Sequence, residues 1–368
     1  MPVPMIDLKA QYALIRDDVN AAVARVLESQ QFRGGAESEG FEAELAAFGQ
    51  AKHAIALASG TDALLLMFKA LGIGPGDEVI TTPFSFFATA GALVNAGATP
   101  VFADILPGTF NLNPEAVRAA ITPQTKAILP VHLYGQCADM DAFRSISSQA
   151  GVHLVEDAAQ ALGASYKDQP LGTGTAGAAL SFYPTKNLGA AGEGGAVLTN
   201  DDAIAERLKL LRCHGSAVQY EHQIVGTNSH LHAIQAAVLR VKLRHLADWN
   251  EARRAHACYY FKVLGDLPGV VLPEALPGAY HVYHQFVIRV PRRDACVALF
   301  KERGIGCGVF YPKPLHLQDC FQQLSRALPC PEAERASREV LALPMFAEMT
   351  RDQQDEVAAA LRDHLAAG

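Results

Sequence analysis

Ala54-Ile-Ala-Leu-Ala58 is the first of a series of short apolar runs that alternate with helical patterns as far as Thr199. The later runs are Glu78-Val-Ile-Thr-Thr82, Thr99-Pro-Val-Phe-Ala103, Lys126-Ala-Ile-Leu-Pro-Val131, Val152-His-Leu-Val-Glu156, residues 178–182 and residues 195–199. Runs that are short and apolar throughout are typical of strands buried on both faces. Their alternation with helices predicts an α/β fold, a mostly parallel sheet covered by helices.

Helical patterns flank this region and indicate how the chain divides. Asn113 and Pro114 predict a helix start, with Asn as the N-cap and Pro at the first helical position. The apolar spacing from His232 to Asn250 predicts one long helix that leads out of the sheet domain. Beyond it, a strand at 284–290 and a helix at 293–303 predict a smaller α+β domain. We therefore expect a large domain over residues 1–250, including the N-terminal segment, and a small domain over residues 251–368.

The composition narrows the class of partner. Lys and Arg total 31 against 38 Asp and Glu, a net charge of -7, and no stretch concentrates the basic residues, so nucleic-acid binding is disfavoured. The chain has neither an apolar run near the roughly 20 residues of a membrane span nor the order of a signal peptide, which predicts a cytoplasmic protein without membrane contact. The 7 scattered cysteines contain no Cys-x-x-Cys pair, so we expect free thiols and no metal site.

Glycine-rich segments offer two candidate phosphate sites. Gly172-Thr-Gly-Thr-Ala-Gly177 matches the dinucleotide-binding spacing, but it leads into a strand rather than a helix, so the context disfavours a nicotinamide site. Ser59-Gly-Thr61 lies where a strand ends and a helix begins. Backbone N–H groups at such a helix start bind phosphate, although an ordinary N-cap would use the same residues.

Two further residues are candidates for covalent and acid–base chemistry. Asp157 follows a buried strand at its carboxyl end, where ligands bind in open α/β sheets, and it suits either a protonated ring nitrogen or a helix N-cap. Lys186 lies between an apolar strand and the glycines at 189, 192, 194 and 195. A buried amine at this place can form a Schiff base with an aldehyde cofactor, whereas the alternative is a surface lysine.

Together these segments resemble the DegT/DnrJ/EryC1/StrS family of pyridoxal-phosphate-dependent sugar aminotransferases. The resemblance covers nearly the whole chain, and the order and spacing of its motifs are specific. The matching segments are Ile6-Asp-Leu-Lys9, Ser59-Gly-Thr-Asp-Ala-Leu64, residues 74–80, residues 96–102, Val131-His-Leu-Tyr-Gly-Gln136, Glu156-Asp-Ala-Ala-Gln160, Ser181-Phe-Tyr-Pro-Thr-Lys-Asn-Leu-Gly189, residues 194–197, residues 234–237 and Leu343-Pro-Met345. It implies the aspartate aminotransferase fold, fold type I of the pyridoxal-phosphate enzymes.

The resemblance also implies a role for each matched position. Lys186 would bond covalently to pyridoxal 5'-phosphate, and Asp157 would pair with the ring nitrogen. The remaining cofactor contacts would be the phosphate contacts Gly60, Thr61 and Ser181, the stacking ring Phe86, the amide Gln160 near the phenolic oxygen, and Asn228 from the neighbouring subunit of a homodimer. The sugar would contact Tyr183, His230, Phe310 and Tyr311.

The reaction implied by the resemblance is transfer of an amino group. L-glutamate would donate the group, Lys186 would move the proton, and a keto group of a nucleotide-linked sugar (dTDP, UDP or GDP) would accept it. Amination at C3 is favoured over C4 by the segments at 279–286 and 308–317. Dehydration is the alternative within the fold, and a non-catalytic sugar-binding regulator the alternative outside catalysis. Lys186 disfavours the first, and the intact set Lys186, Asp157, Gln160 and Ser181 disfavours the second.

Two departures from the family's usual pattern bear on the sugar. The loop reads Asn228-Ser-His-Leu-His232 where most relatives have Asn-Ser-Arg-Leu-Asp, and Phe310 replaces a common histidine before Tyr311. An imidazole cannot clamp a carboxylate as a guanidinium does. The hypothesis is therefore a neutral sugar, a 3-keto-6-deoxy sugar rather than a uronic acid, unless these positions face solvent.

Overall fold

The computed structural model describes residues 2–367. Its strands are β1 (His53–Leu57), β2 (Glu78–Thr81), β3 (Thr99–Phe102), β4 (Thr125–Leu129), β5 (His153–Asp157), β6 (Ser165–Tyr166), β7 (Gln169–Pro170), β8 (Gly177–Ser181), β9 (Gly195–Thr199), β10 (Ser216–Val218), β11 (Glu221–His222), β12 (Ala279–Tyr280), β13 (Phe286–Arg289), β14 (Arg326–Ala327) and β15 (Val340–Leu343).

The helices cover most of the remaining chain. They are α1 (Leu8–Ser29), α2 (Gly35–Phe48), α3 (Gly60–Ala70), α4 (Ala88–Ala96), α5 (Pro114–Ala120), α6 (Met140–Ala150), α7 (Asp202–Arg212), α8 (Ala233–Leu243), α9 (Leu246–Leu264), α10 (Arg293–Glu302), α11 (Pro331–Glu339) and α12 (Arg351–Ala366). Short 3-10 turns occur at Leu133–Gly135, Leu315–Leu317 and Asp319–Phe321.

One large sheet organises the molecule, with the strand order β1-β9-β8-β5-β4-β2-β3-β14. Its pairings are parallel except for those of β9, which runs antiparallel to both β1 and β8. Separate clusters of buried apolar side chains cover its two faces, one including Ile80, Ile128 and Leu180 and the other Val79, Leu129 and Ala179. The predicted α/β fold is confirmed, and each of the predicted strands between residues 54 and 199 is present within a residue or two of its expected bounds.

The C-terminal part builds its own small sheet, in which β13 and β15 pair antiparallel. Helices α9, α10 and α12 pack against it around Tyr260, Phe286 and Phe300, which are fully buried. Residues from the N-terminus join the same core, because Val3 is buried in it and forms a bridge with Ile305. The division into two domains at residue 250 stays a prediction.

A segment of the C-terminal part also adds to the large sheet. Strand β14 pairs in parallel with β3 at its edge. The Arg326 guanidinium donates to both carboxylate oxygens of Glu78 at 3.1 Å, a bidentate arrangement that fixes the strand's orientation. Asp104, between β3 and α5, accepts hydrogen bonds from the first-turn N–H groups of α11 at Glu332 and Ala333. Residues 326–333 therefore fasten the C-terminal part to the large sheet.

The prediction of one continuous helix from His232 to Asn250 is wrong. The structure has two helices, because α8 ends at Leu243 and α9 begins at Leu246 and continues to Leu264. The predicted start of α5 is confirmed, since the Asn113 side chain accepts from the Glu115 N–H and Pro114 occupies the first turn. Within residues 2–367, no helix is long and apolar enough to cross a membrane.

Candidate active site

Asp157 ends β5 at the carboxyl edge of the sheet, and it is 3% exposed. Its Oδ2 accepts from Thr89 Oγ1 at 2.7 Å, and its Oδ1 accepts from the Ala159 N–H at 3.2 Å. The Ser85 hydroxyl in turn lies 2.8 Å from Thr89 Oγ1. Burial raises the pKa of Asp157, and the bond from Thr89 acts in the opposite direction. The carboxylate is thus held rigidly while each oxygen keeps a lone pair for one further donor.

Lys186 lies in the turn that follows β8, where its backbone N–H donates to the Tyr183 carbonyl at 2.9 Å. Its side chain is partly buried. Burial lowers the pKa of Lys186 to about 8, and the attraction of the Asp157 carboxylate offsets part of this effect. The amine is therefore available in its neutral, nucleophilic form near physiological pH.

The residue after the lysine is fixed by a buried hydrogen-bond network. Asn187 Nδ2 donates to Asn250 Oδ1 at 2.8 Å and to the Val282 carbonyl at 3.1 Å, so Asn187 Oδ1 is the acceptor of the His284 Nδ1 proton at 3.1 Å. Burial, together with the positive charge of Lys186, lowers the pKa of His284 well below its usual value. The network connects the turn that carries Lys186 to α9 and to the segment before β13.

The N-terminus of α3 forms a cradle beside Ser181. Ser59 is its N-cap and accepts from the Asp62 N–H at 3.1 Å, which leaves the N–H groups of Gly60 and Thr61 without a partner inside the helix. Gly60 packs so closely on Ser181 that a Cβ added at position 60 would lie 2.7 Å from the Ser181 Cβ. The structure therefore brings Gly60, Thr61 and Ser181 together in an arrangement that suits a phosphate dianion.

Gln160 links the carboxyl edge of the sheet to the C-terminal part. Its Oε1 accepts from the Tyr134 N–H at 2.7 Å, and its Nε2 donates to the Tyr311 hydroxyl at 3.0 Å. These bonds fix the amide orientation, and one N–H of Gln160 remains free to donate. Phe310 and Tyr311 are half-buried at this place, with ring centroids 6.0 Å apart.

Two aromatic side chains predicted for the site are exposed. Phe86 is 59% exposed and Tyr183 is 49% exposed, which is unusual for rings of this size. Phe86 precedes α4 in the same segment that supplies Ser85 and Thr89 to Asp157. Its ring therefore has an open face for stacking on a planar group.

A cavity of about 430 Å³ is lined in part by the loop that departs from the family pattern. It is lined by Phe32, Arg33, His214, Asn228, His230, His232, Ile234 and Gln235. His230 Nε2 lies 2.6 Å from the Arg33 guanidinium, and burial together with this cation lowers the pKa of His230 to about 4. The hydroxyl of Ser229, next to Asn228, donates to Asp62 in the first turn of α3 at 2.7 Å. The loop thus begins beside the cradle, and its His230 faces a guanidinium supplied from elsewhere in the chain.

The glycines at 172–177 have a structural role at a buried carboxylate. Glu156 is 2% exposed and accepts from the Gly172 N–H at 3.0 Å, from Thr175 Oγ1 at 2.8 Å and from His132 Nε2 at 2.9 Å. His132 Nδ1 accepts from the Ala138 N–H, which places the ring proton on Nε2. This loop therefore satisfies the acid next to Asp157 and is not part of a dinucleotide site.

The sequence did not reveal several residues that complete the site. Thr89 and Ser85 support Asp157, Asn250 and His284 support Asn187, and Arg33 faces His230. Two hydroxyls spaced four residues apart at a helix start are a recognisable signal for the first pair. The other contacts join positions far apart in sequence and leave no local signal.

The donor set matches a phosphorylated aromatic aldehyde with a basic ring nitrogen. A neutral amine can bond to the aldehyde, a buried carboxylate can pair with the protonated nitrogen, and the start of α3 can bind the phosphate. Gly60 packs so tightly on Ser181 that even a methyl group at position 60 would not fit, which keeps the start of α3 and the Ser181 side chain close together. The fold and this site define the class of the fold type I aminotransferases.

Comparisons with known proteins give the family. The model of the DegT/DnrJ/EryC1/StrS aminotransferase family matches residues 13–362. The chain therefore belongs to this family.

Individual relatives match over nearly their whole length. A protein of Geobacillus stearothermophilus named pleiotropic regulatory protein is 49% identical over 360 residues, 97% of each chain. The dTDP-3-amino-3,4,6-trideoxy-alpha-D-glucose transaminase of Streptomyces venezuelae is 47% identical over 364 residues, covering 98% of this chain and 96% of the relative. The crystal structure of S. venezuelae DesV in complex with a ketimine intermediate superposes with a TM-score of 0.96 at 46% identity, over 99% of this chain and 98% of that one.

Proposed function

We propose that the protein is a pyridoxal-phosphate-dependent aminotransferase that moves an amino group from L-glutamate to a keto group of a nucleotide-linked sugar. The observation that carries the proposal is the pairing of a lysine whose pKa is about 8 with a rigid buried carboxylate beside the α3 cradle. The pyridoxal phosphate supplies an aldehyde for covalent attachment and a ring that accepts electrons from the carbon losing its proton.

Each residue of the site then has a defined task. Lys186 would hold the cofactor through its amine and would be the base that moves a proton during amino-group transfer. Asp157 would pair with the protonated ring nitrogen. Gly60, Thr61 and Ser181 would hold the phosphate, Phe86 would supply the ring for stacking, and Gln160 would donate to the phenolic oxygen.

We propose a homodimer in which Asn228 serves the site of the neighbouring subunit. Large apolar side chains are exposed on α1 and in the segment that contains β10 and β11 and the residues just after them. They include Leu14 on α1 at 72%, and Tyr220 at 86% and Val225 at 91% exposure in that segment. An apolar surface of this kind is typical of a subunit interface.

The acceptor that we propose is a neutral 3-keto-6-deoxy sugar, bound by Tyr183, His230, Phe310 and Tyr311. Amination at C3 is supported by the transaminase name of the S. venezuelae relative. Arg33 lies against His230, so the cavity still contains a guanidinium even though the loop has histidine where most relatives have arginine. The proposal of a neutral sugar consequently depends on Phe310, which places an apolar ring where a histidine is common.

The cofactor assignment is tested by reduction of the purified protein with borohydride. We expect a stable cofactor adduct on the peptide that contains Lys186, together with a visible absorption band that bleaches when L-glutamate is added. A protein without the band, or with the adduct on another lysine, would contradict the assignment. The same bleaching distinguishes an enzyme from a non-catalytic sugar-binding regulator; the G. stearothermophilus relative is named a regulatory protein.

The acceptor is tested with a panel of nucleotide sugars. Enzyme preloaded with the amino group from glutamate is mixed with 3-keto and 4-keto 6-deoxy sugars and with a 3-keto uronic acid, each linked to dTDP or UDP. We expect the highest kcat/KM for a 3-keto-6-deoxy sugar. Equal turnover of the uronic acid would overturn the neutral-sugar proposal, and preference for a 4-keto sugar would overturn amination at C3.

A further inference from the structure

Tyr134 has a backbone conformation that side chains of its size rarely adopt. It lies in the 3-10 turn after β4 with φ 59° and ψ 6°, in the left-handed region, and it is only 3% exposed. Gly135 follows with φ 104°, and a Cβ there would lie 2.8 Å from the backbone nitrogen of His284. A conformation of this kind persists only where the surrounding contacts fix it.

Three hydrogen bonds fix this tyrosine to three separate segments. Its N–H donates to Gln160 Oε1 at 2.7 Å, and its carbonyl accepts from the Gln285 N–H at 3.2 Å. Its hydroxyl donates to the main-chain carbonyl of Phe310. The residue therefore connects the cofactor end of the site, through Gln160, to the segment that carries Phe310 and Tyr311.

Aromatic contacts provide a second link between Tyr134 and the Phe310–Tyr311 segment. The Tyr134 ring packs edge-on against Phe110 at 5.7 Å, and Phe110 stacks on Phe84 at 6.2 Å. Phe84 packs edge-on against Tyr311 at 6.0 Å, and the Tyr311 hydroxyl accepts from Gln160 Nε2 at 3.0 Å. Each member is thus held from both sides, which restricts independent movement of the Phe310–Tyr311 segment.

We propose that Tyr134 is a positioning residue that determines acceptor specificity, because its hydroxyl holds the Phe310–Tyr311 wall at a fixed place relative to Gln160. The inference rests on the proposed function, in which this wall faces the sugar. Because the proposed function assigns this wall to the sugar, we expect the effect in the half-reaction that uses the sugar. Selectivity between sugars that differ in size or charge follows from a wall that cannot move to accommodate them.

The test is the Tyr134→Phe variant of the holoenzyme, with Tyr260→Phe as the matched control. Tyr134→Phe keeps the ring contacts and the N–H bond to Gln160 and removes only the hydroxyl bond to the Phe310 carbonyl. Tyr260 is also fully buried and also donates to a main-chain carbonyl, that of Pro344 at 3.0 Å, but it lies in the C-terminal core. The control therefore reports the general effect of removing a buried tyrosine hydroxyl.

We expect Tyr134→Phe to raise the KM for the acceptor about five- to tenfold, the effect of one hydrogen bond. Its kcat, the rate of the glutamate half-reaction and the affinity of the apoprotein for pyridoxal phosphate stay near wild type. The ratio of kcat/KM between a 3-keto-6-deoxy sugar and a 3-keto uronic acid falls by a similar factor. Hydrogen exchange of peptides covering residues 309–312 becomes faster in Tyr134→Phe and not in Tyr260→Phe.

The outcomes separate this inference from the proposed function. If wild type aminates the sugars and Tyr134→Phe shows the acceptor KM and the selectivity of the control, the positioning role is wrong. If wild type aminates no nucleotide sugar, the proposed function is wrong. Hydrogen exchange then still tests the contact by itself: unchanged exchange at residues 309–312 in Tyr134→Phe would reject the hydrogen bond from Tyr134 to the Phe310 carbonyl. An equal loss in both half-reactions would assign Tyr134 to general stability and overturn the specificity role.

Discussion

The protonation of Lys186 depends on two opposing effects: burial lowers its pKa to about 8, and the Asp157 carboxylate acts in the opposite direction. The neutral amine reacts with an aldehyde, whereas the ammonium does not. We therefore expect the rate at which the apoprotein binds pyridoxal phosphate covalently to rise with pH, with a midpoint near 8. Stopped-flow absorbance measures this rate, and a midpoint near that of an ordinary lysine would contradict the burial effect.

Replacement of Lys186 by arginine tests the same residue in turnover. Arginine keeps the positive charge but cannot form the covalent link or give up its proton, because its pKa stays above about 12. We expect transamination to fall by a factor of about 10² to 10⁴. Lys242→Arg is the control, since Lys242 is a second partly buried lysine with a lowered pKa, and it donates to the Gly189 carbonyl. Full activity of Lys186→Arg would refute the assignment.

Asp157→Asn is expected to separate stability from function. Because burial raises the pKa of Asp157 above its unfolded value, the wild-type apoprotein loses stability as pH rises through the folded pKa, and the amide does not. Asparagine can still accept from Ala159 and donate to Thr89. Urea unfolding of the apoproteins at pH 7 should show a variant at least as stable as wild type.

The same variant would lose the proposed ion pair to the ring nitrogen, so we expect its transamination to fall about a hundredfold or more. A variant that unfolds more easily than wild type and keeps full activity would contradict both parts of the argument.

At the scale of the element, the start of α3 is the unit that we propose as the phosphate site. Gly60→Ala places a methyl group 2.7 Å from the Ser181 Cβ, so the cradle has to open. We expect the affinity for pyridoxal phosphate to fall about tenfold or more, since the free N–H groups at this helix start are the proposed anion site. Gly74→Ala is the matched control, because a Cβ at position 74 would meet only the Ala96 carbonyl at 3.6 Å. Equal affinities of the two variants would reject the cradle.

Elements could be predicted from the sequence where one physical cause dominates. The buried strands of the large sheet are short apolar runs, and α5 begins with Asn113 and Pro114, so composition and capping are sufficient. The pair α8 and α9 was predicted as one helix, because the apolar spacing continues through Arg244 and His245 while the chain turns there. Strand β14 has two residues and exists only through its pairing with β3, which no local pattern records.

The residues of the candidate site could likewise be predicted only where a local pattern marks them. Lys186, Asp157 and the Ser59-Gly-Thr61 turn could be located because each lies at the end of a strand with a visible apolar run or within a few residues after it. Their roles came from the resemblance to a family. The contact of Arg33 with His230 spans almost two hundred positions of the chain and depends on the packing of the whole molecule.

At the scale of the whole molecule, the proposed dimer can be tested by complementation. If Asn228 acts across the interface, a hybrid of a Lys186→Ala chain and an Asn228→Ala chain contains one intact site and one doubly altered site. Random mixing of the two inactive variants would then restore about a quarter of the wild-type activity. Steady-state rates after refolding the mixture measure this recovery. Mixtures no more active than their components would place Asn228 in its own subunit's site.

The fastening of residues 326–333 to the large sheet has a consequence for recombining this protein with its relatives. A chimaera joined near residue 250 would import Arg326 and the start of α11 from one parent while keeping Glu78 and Asp104 from the other. Grafts that match these two contacts should give well-expressed hybrids, whereas mismatched grafts would leave an unpaired carboxylate and a bare sheet edge. The contacts that such a chimaera must preserve are therefore those of residues 326–333 with Glu78 and Asp104. They lie far from the junction, at the edge of the large sheet opposite β1.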